Sequence, residues 1–174
     1  GTATSGYNGL GGGETTNITG TVTISETGSG NLTVSHLKNL TTGGTVNVTG
    51  GSSVYFYNDT LLLSTFNISA YSQSASVHNN SITAGNINIA NGSGTAFNTS
   101  IQDNVYTGNV TYTQNSISSG HGFASVNNVY NGNLSVNMAG VDAVMSVLSG
   151  STVNGNFAFN GASDNGSGSI SGGL

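Results

Sequence analysis

One short pattern returns along most of this chain: an apolar residue, two or three small polar residues ending in glycine, then a strand of alternating apolar and polar side chains. It reads Ile18-Thr19-Gly20-Thr21-Val22-Thr23-Ile24 near the start and Gly44-Thr45-Val46-Asn47-Val48 in the next copy. Sharper copies follow: Ile82-Thr83-Ala84-Gly85-Asn86-Ile87-Asn88-Ile89, then Val105-Tyr106-Thr107-Gly108-Asn109-Val110-Thr111-Tyr112. The last two are Val129-Tyr130-Asn131-Gly132-Asn133-Leu134-Ser135-Val136 and Val153-Asn154-Gly155-Asn156-Phe157-Ala158-Phe159, and Thr65-Phe66-Asn67-Ile68 is a weaker copy between the second and third. The first apolar residue of each strand serves as a marker. Val22, Val46, Phe66, Ile87, Val110, Leu134 and Phe157 follow one another at 24, 20, 21, 23, 24 and 23 residues. A chain rich in Gly and Asn throws up isolated Gly-Asn-apolar matches by accident, but not an even train of them.

A second strand-like stretch lies in each interval: Leu32-Thr33-Val34, Val54-Tyr55-Phe56, Ala75-Ser76-Val77, Ala96-Phe97, Phe123-Ala124-Ser125-Val126 and Val141-Asp142-Ala143-Val144. Each period is therefore a unit of two or three strands with a glycine corner. Two architectures accommodate period-2 strands broken by Gly and Asn. Either each unit is one coil of a parallel β-solenoid, stacked like on like, or the corners are hairpin turns of an antiparallel sandwich. The Asn-Gly pairs at Asn8, Asn91, Asn131, Asn154, Asn160 and Asn165 suit hairpins. Register does not. A hairpin at Thr107-Gly108 sets Val105 against Val110 but Asp103 against Tyr112, and the same construction opposes Asn80 to Ile89 and Asn127 to Val136. A hairpin that buries one face needs apolar residues on both strands of each pair. The sequence thus predicts an all-β, parallel β-solenoid of about seven 20–24-residue repeats. The alternative is an antiparallel, pilin-like β-sandwich completed by a donor strand. Residues 1–14 read as a Gly-rich N-terminal extension and 15–174 as a single β-repeat domain. Val141, Val144, Met145 and Leu148 also fit helical spacing, so a short flanking helix is compatible with the pattern.

Composition removes several functions. Only 4% of residues are charged, against about a quarter in ordinary domains. Disorder does not explain this, because proline is absent and the apolar period persists to the C-terminus. Lys38 is the only cation apart from histidine, so nothing is present to neutralise phosphates, and nucleic acid is not an expected partner. Cysteine is absent, which removes thiol chemistry. The longest uninterrupted apolar run is Leu61-Leu62-Leu63, far below the ~18 residues of a helical membrane span. The start at Gly1-Thr2-Ala3, without Met, fits a mature protein whose signal peptide has been removed. A secreted or cell-surface location is the expectation.

Catalysis needs nucleophiles, bases or metals that converge. His36, His78 and His121 fall at different phases of different repeats, and Glu14, Glu26, Asp59, Asp103, Asp142 and Asp164 are dispersed. Of the carboxylates, Asp59, Asp103 and Asp142 are those that a solenoid ledge could still bring together as a glycosidase pair. No clustered Asp pattern for calcium is present. The expectation is a protein that is not an enzyme, with no cofactor and no metal. Lys38 reads either as a surface lysine or as one end of an isopeptide bond to an Asn or Asp, and the two differ in intact mass by one ammonia or one water.

Twelve Asn are N-x-Ser/Thr acceptors: Asn17, Asn31, Asn39, Asn47, Asn58, Asn67, Asn79, Asn91, Asn98, Asn109, Asn133 and Asn165. With 25 Asn and 48 Ser plus Thr, chance supplies about seven such motifs, so these are candidate glycosylation sites if the chain follows a glycosylating secretory route. Residues flanking the markers form a ladder of Thr21/Thr23, Thr45/Asn47, Thr65/Asn67, Asn86/Asn88, Asn109/Thr111, Asn133/Ser135 and Asn156/Ala158. Such an uncharged face could meet ice or surface glycans. Neither terminus reads as a polar cap, and no charge or proline guards an edge, which favours self-association. The expected partner is the chain itself, assembling head-to-tail through uncapped edges or through an inserted N-terminal strand carrying Thr15, Ile18, Val22 and Ile24.

Asn86-Ile87-Asn88-Ile89-Ala90-Asn91-Gly92-Ser93-Gly94 and Gly132-Asn133-Leu134-Ser135-Val136 resemble repeats of bacterial surface β-solenoid adhesins of the haemagglutinin-repeat and autotransporter-passenger type, over most of residues 15 to 160. The near-absence of charge, the sequons and the glycine-linked N-terminal strand are also similar to archaeal surface filament subunits, the threads, which join by donor-strand complementation. The first resemblance implies a solenoid and the second a sandwich. Both imply an extracellular structural role, in adhesion, biofilm or filament, and neither brings catalytic residues.

Overall fold

A computed structural model describes residues 7–10, 19–26, 28–39, 42–71, 74–91, 98–114, 122–138, 144–161 and 168–170. In chain order the strands are β1 Tyr7–Leu10, β2 Thr21–Glu26, β3 Asn31–Ser35, β4 Lys38–Asn39, β5 Thr45–Gly50, β6 Ser53–Tyr57, β7 Thr60–Leu62, β8 Thr65–Tyr71, β9 Ser74–His78, β10 Ser81–Asn91, β11 Asn98–Gln102, β12 Val105–Gln114, β13 Gly122–Val126, β14 Val129–Tyr130, β15 Leu134–Met138, β16 Val144–Ser149, β17 Thr152–Val153, β18 Phe157–Gly161 and β19 Gly168–Ile170. Among the described residues the protein is all-β, and every strand pairing is parallel.

The strands stack as a β-solenoid of about five turns. One face, called here sheet A, runs β1-β3-β6-β9-β11-β13-β16-β19. A second face is the marker ladder β2-β5-β8-β10-β12-β15-β18, and the short strands β4, β7, β14 and β17, with the first residues of β10 and β12, form a third. Each marker pairs with the next: Val22 with Val46, Val46 with Phe66, Phe66 with Ile87, Ile87 with Val110, Val110 with Leu134 and Leu134 with Phe157. The sequence count of seven repeats rests on one strand per copy, whereas a turn needs all three faces.

The antiparallel sandwich is not the fold. Thr107-Gly108 is a corner inside β12, where the chain leaves the third face and enters the marker ladder, and no strand doubles back there. The short helix at 141–148 is not formed either within its described part, since Val144–Ser149 is strand β16 paired with β13. Pairing with β13 on one side and β19 on the other gives that segment ladder hydrogen bonds, whereas an isolated helix of so few residues is marginal. Ala96-Phe97 lies outside the described residues, and the strand of that coil is Asn98–Gln102. Tyr7–Leu10, within the Gly-rich N-terminal segment, pairs with β3. No helix among the described residues is long and apolar enough to cross a membrane.

Alternation sends one side chain in two to the interior, and all three faces contribute. Val46, Phe66, Ile87, Val110 and Leu134 fill the marker column, Val34, Phe56, Val77 and Ile101 fill the column across from it, and Leu61 and Ile82 close the third side. The Phe56 and Phe66 rings meet at 4.9 Å. Volume is balanced between faces: in the coil where Tyr130 enters from the third face, sheet A places Ser125 in the column that Ile101 fills one coil earlier, and the Ser125 Oγ lies 2.8 Å from the Tyr130 hydroxyl. Burial pushes the Tyr130 hydroxyl up to about 12, so it stays neutral and hydrogen-bonded.

The glycine corners repeat for a steric reason. Backbones of successive coils pass so closely that a Cβ on Gly108 would lie 1.7 Å from the Ala84 carbonyl oxygen, and one on Gly132 2.2 Å from that of Gly108. Gly108 also holds a φ of +129°, which side-chain-bearing residues rarely adopt. Gly108→Ala is expected to destabilise the stack by roughly 3 kcal/mol or more, whereas Gly20→Ala, with nothing within 4 Å, should be near neutral. Thermal unfolding followed by circular dichroism compares the two.

Candidate functional site

The second corner of each coil follows sheet A, and it is built by a backbone reversal in the left-handed region. His36, Asn58, Asn79, Asp103, Asn127 and Gly150 have φ of 59°, 59°, 57°, 55°, 54° and 62°. Asn, Asp, His and Gly are the residues that tolerate this region best. The next residue turns inward: Leu37, Asp59, Asn80, Asn104, Asn128 and Ser151. These residues form a hydrogen-bonded column through the corner. The backbone N–H of Asn80 donates to Asn104 Oδ1 at 2.9 Å, that of Asn104 to Asn128 Oδ1 at 2.9 Å, and that of Asn128 to Ser151 Oγ at 3.0 Å. The amide nitrogens complete it, Asn80 Nδ2 donating to the Phe56 carbonyl, Asn104 Nδ2 to that of Val77 and Asn128 Nδ2 to that of Ile101.

Asn80 is therefore a buried rung, which is why it matched no apolar partner in the hairpin construction. Sequence reading missed the column although its signal is present. Asn58-Asp59, Asn79-Asn80, Asp103-Asn104 and Asn127-Asn128 recur at 21, 24 and 24 residues.

On the outside of the marker ladder the expected Thr/Asn rows are present, and several rungs bond to one another. Asn67 Nδ2 donates to Asn47 Oδ1 and Asn88 Nδ2 to Asn67 Oδ1, both at 2.8 Å. Farther along, the backbone N–H of Asn156 donates to Asn133 Oδ1 at 2.9 Å. On the outside of sheet A, Tyr55 and Tyr57 lie side by side on β6, ring centroids 6.0 Å apart, with the His78 ring edge-on to Tyr57 at 5.6 Å.

The ends differ from the middle. In the inward columns of the marker ladder Val136 is fully buried, but its partner Phe159 on β18 is 37% exposed, and Phe157 is only half-buried. At the opposite end Val22 on β2 is half-buried. Neither β17 nor β18 carries a charge, and the one charge on β2, Glu26, turns inward with Oε1 accepting the Gly28 N–H at 2.8 Å. Of the residues expected to form an assembly strand, Val22 and Ile24 lie on this end strand, while Thr15 and Ile18 lie outside the described residues.

His36 is exposed at one corner and His78 stands on sheet A two coils on, bonded to Ser100, while His121 lies outside the described residues. Asp59 faces the interior, Asp103 faces solvent, and Asp142 lies outside the described residues. Lys38 is exposed on β4. Among the glycosylation candidates, Asn31, Asn58, Asn79, Asn109 and Asn133 are exposed, and Asn47 and Asn67 are half-buried in the outer ladder. Asn39 is buried with Nδ2 donating to the Leu62 carbonyl at 2.7 Å. Asn91 and Asn98 lie in β10 and β11, and Asn17 and Asn165 fall outside the described residues. Comparison with family models, with curated proteins and with solved structures finds no match to this chain.

One rung of the inner column is an acid. Asp59 Oδ1 accepts the Leu37 N–H, the Asp59 N–H donates to Asn80 Oδ1 at 2.8 Å, and Oδ2 is buried without a partner. The rungs Asn80, Asn104 and Asn128 each use an amide N–H₂ to donate to a backbone carbonyl, a donor that a carboxylate lacks. Burial raises the carboxyl to about 7, partly opposed by the Leu37 hydrogen bond. The folded state thus holds a proton that the unfolded chain releases near pH 3.8. The stability this carboxyl contributes is greatest below that pH, and it is level again above about pH 7. Between the two it falls by about 1.4 kcal/mol for each pH unit. Asp59→Asn supplies the missing donor, so it should flatten this profile and raise the melting temperature at pH 8 more than at pH 4.

Proposed function

We propose that this chain is a structural subunit of an extracellular filament or surface adhesin, in which copies stack head-to-tail through their end strands. The observation that carries the reading is the exposed Phe159, with half-buried Phe157, on an end strand that has no charge, proline or covering cap among the described residues. Interior columns of apolar residues that reach a free parallel edge recruit another strand of like pattern. The β2 strand of a second copy has that pattern: Val22 and Ile24 stand at the positions that Phe157 and Phe159 would meet. The repeat of about 20–24 residues, counted in the sequence as seven copies, makes both ends cuts through one lattice.

Secretion, a glycan coat on the exposed Asn and a role in biofilm belong to the same reading and rest on composition alone. Lattice binding through the outer Thr/Asn rows has weaker support, because Asn47, Asn67 and Asn88 engage their amides with one another. A glycan-binding role draws its support from the Tyr55, Tyr57 and His78 group on sheet A, where uncharged aromatic faces stand beside Ser76 and Ser100. Retention of neutral oligosaccharides by a uniformly monomeric protein would favour it over assembly.

Electron microscopy and light scattering at neutral pH test the proposal. The wild-type chain should form unbranched fibres of even width, and Phe159→Lys should leave the circular dichroism spectrum unchanged while abolishing them. A wild-type protein that stays monomeric at high concentration would overturn it.

A further inference from the structure

The two long faces of the stack do not end level. Strands β2 and β3 belong to one coil, and β1 pairs with β3 on the side away from β6, so β1 lies one level beyond β2. At the other end β18 and β19 follow each other within one coil and terminate the two faces together. Among the described residues sheet A therefore has eight strands where the marker ladder has one fewer. When a second copy seats its β2 on the free edge of β18, its β3 comes to the level after β19. Its β1 then falls on the level that β19 of the first copy already occupies. Two strands cannot share one place.

We propose that at each head-to-tail junction β1 of the incoming copy displaces β19 and pairs with β16, so that assembly proceeds by exchange of a strand. The proposal rests on the filament reading above and adds its mechanism. Register supports the interchange. Gly9 pairs with Thr33, and that position continues through Tyr55, Ser76, Ser100, Ala124 and Ser146 to Ser169. Gly9 and Ser169 thus occupy one column, and each is followed by an aliphatic residue, Leu10 and Ile170, in register with Val34 and Val147 respectively.

Hydrogen bonding favours the exchange in the same direction. Among the described residues β1 is paired on one side only, across four residues, and β19 on one side only, across three. After exchange β1 stands between its own β3 and the β16 of its neighbour, so the ladder of sheet A crosses the junction unbroken. Neither Tyr7–Leu10 nor Gly168–Ile170 contains a charge or a proline that would discriminate against the swap.

The chain has no cysteine, so disulfide trapping can be read without background. Copies carrying Gly9→Cys are mixed with copies carrying Ser146→Cys, assembled and oxidised. A disulfide-linked dimer of the two is expected, and Asn8→Cys mixed with Met145→Cys repeats the measurement at the neighbouring position should either first variant misfold. Ile170→Asp, which weakens β19, should shorten the lag of assembly several-fold, while Leu10→Asp should prevent elongation. Fibres in which Gly9→Cys links instead to Ser169→Cys would mean that edges abut without exchange, and they would overturn the proposal while leaving head-to-tail stacking intact. Fibres with neither link would overturn it equally. Failure of the wild type to form fibres at all would remove the filament reading itself.

Discussion

Within a parallel stack every side chain meets its counterpart about 4.8 Å above and below, and the rest of this structure follows from that contact of like with like. Backbone hydrogen bonds between coils hold the register, and the register allows only residues that tolerate their own image. Apolar markers satisfy the condition by packing in columns. Glycine satisfies it at the first corner by having no Cβ to collide with the carbonyl of the coil before, as at Gly108 and Gly132. Asparagine satisfies it at the second corner because one side chain both donates and accepts, so that Asn80, Asn104 and Asn128 can form a chain of identical links.

The same condition explains why the interior tolerates so much polarity. A buried amide without a partner is costly, but a column of amides supplies each member's partner from the next coil. Asp59 breaks this symmetry, since a carboxylate has only acceptors, and its burial raises its pKa. The Tyr130 hydroxyl is satisfied across faces instead of along a column, 2.8 Å from Ser125 Oγ and 3.2 Å from the Tyr112 hydroxyl.

A stack of this kind has no internal reason to stop. Each level is completed by the next, so an end is stable only where something polar covers it. Among the described residues β18 carries no charge and presents Phe159 to solvent. In the proposed assembly the offset between the faces matters for the same reason, because it would decide which strand of one copy completes the other.

The period, the marker strands, the parallel arrangement and the glycine corners were all legible in the sequence. A column that packs like on like must leave an even spacing of like residues, as Val46, Phe66, Ile87, Val110 and Leu134 do. The inner asparagine column left its spacing in the sequence but not its burial, because a polar residue in an alternating pattern is ordinarily assigned to solvent, and only the left-handed φ at Asn79, Asp103 and Asn127 turns the next residue inward. Nor could the sequence show that Val144–Ser149 is a strand, since its spacing suited a helix and the deciding factor was the open edge of β13. Local pattern determined what each coil is made of. Which faces those coils form, how many levels each face reaches and where the faces end out of step were decided only in three dimensions, because they depend on hydrogen bonds between residues more than 20 positions apart in the chain.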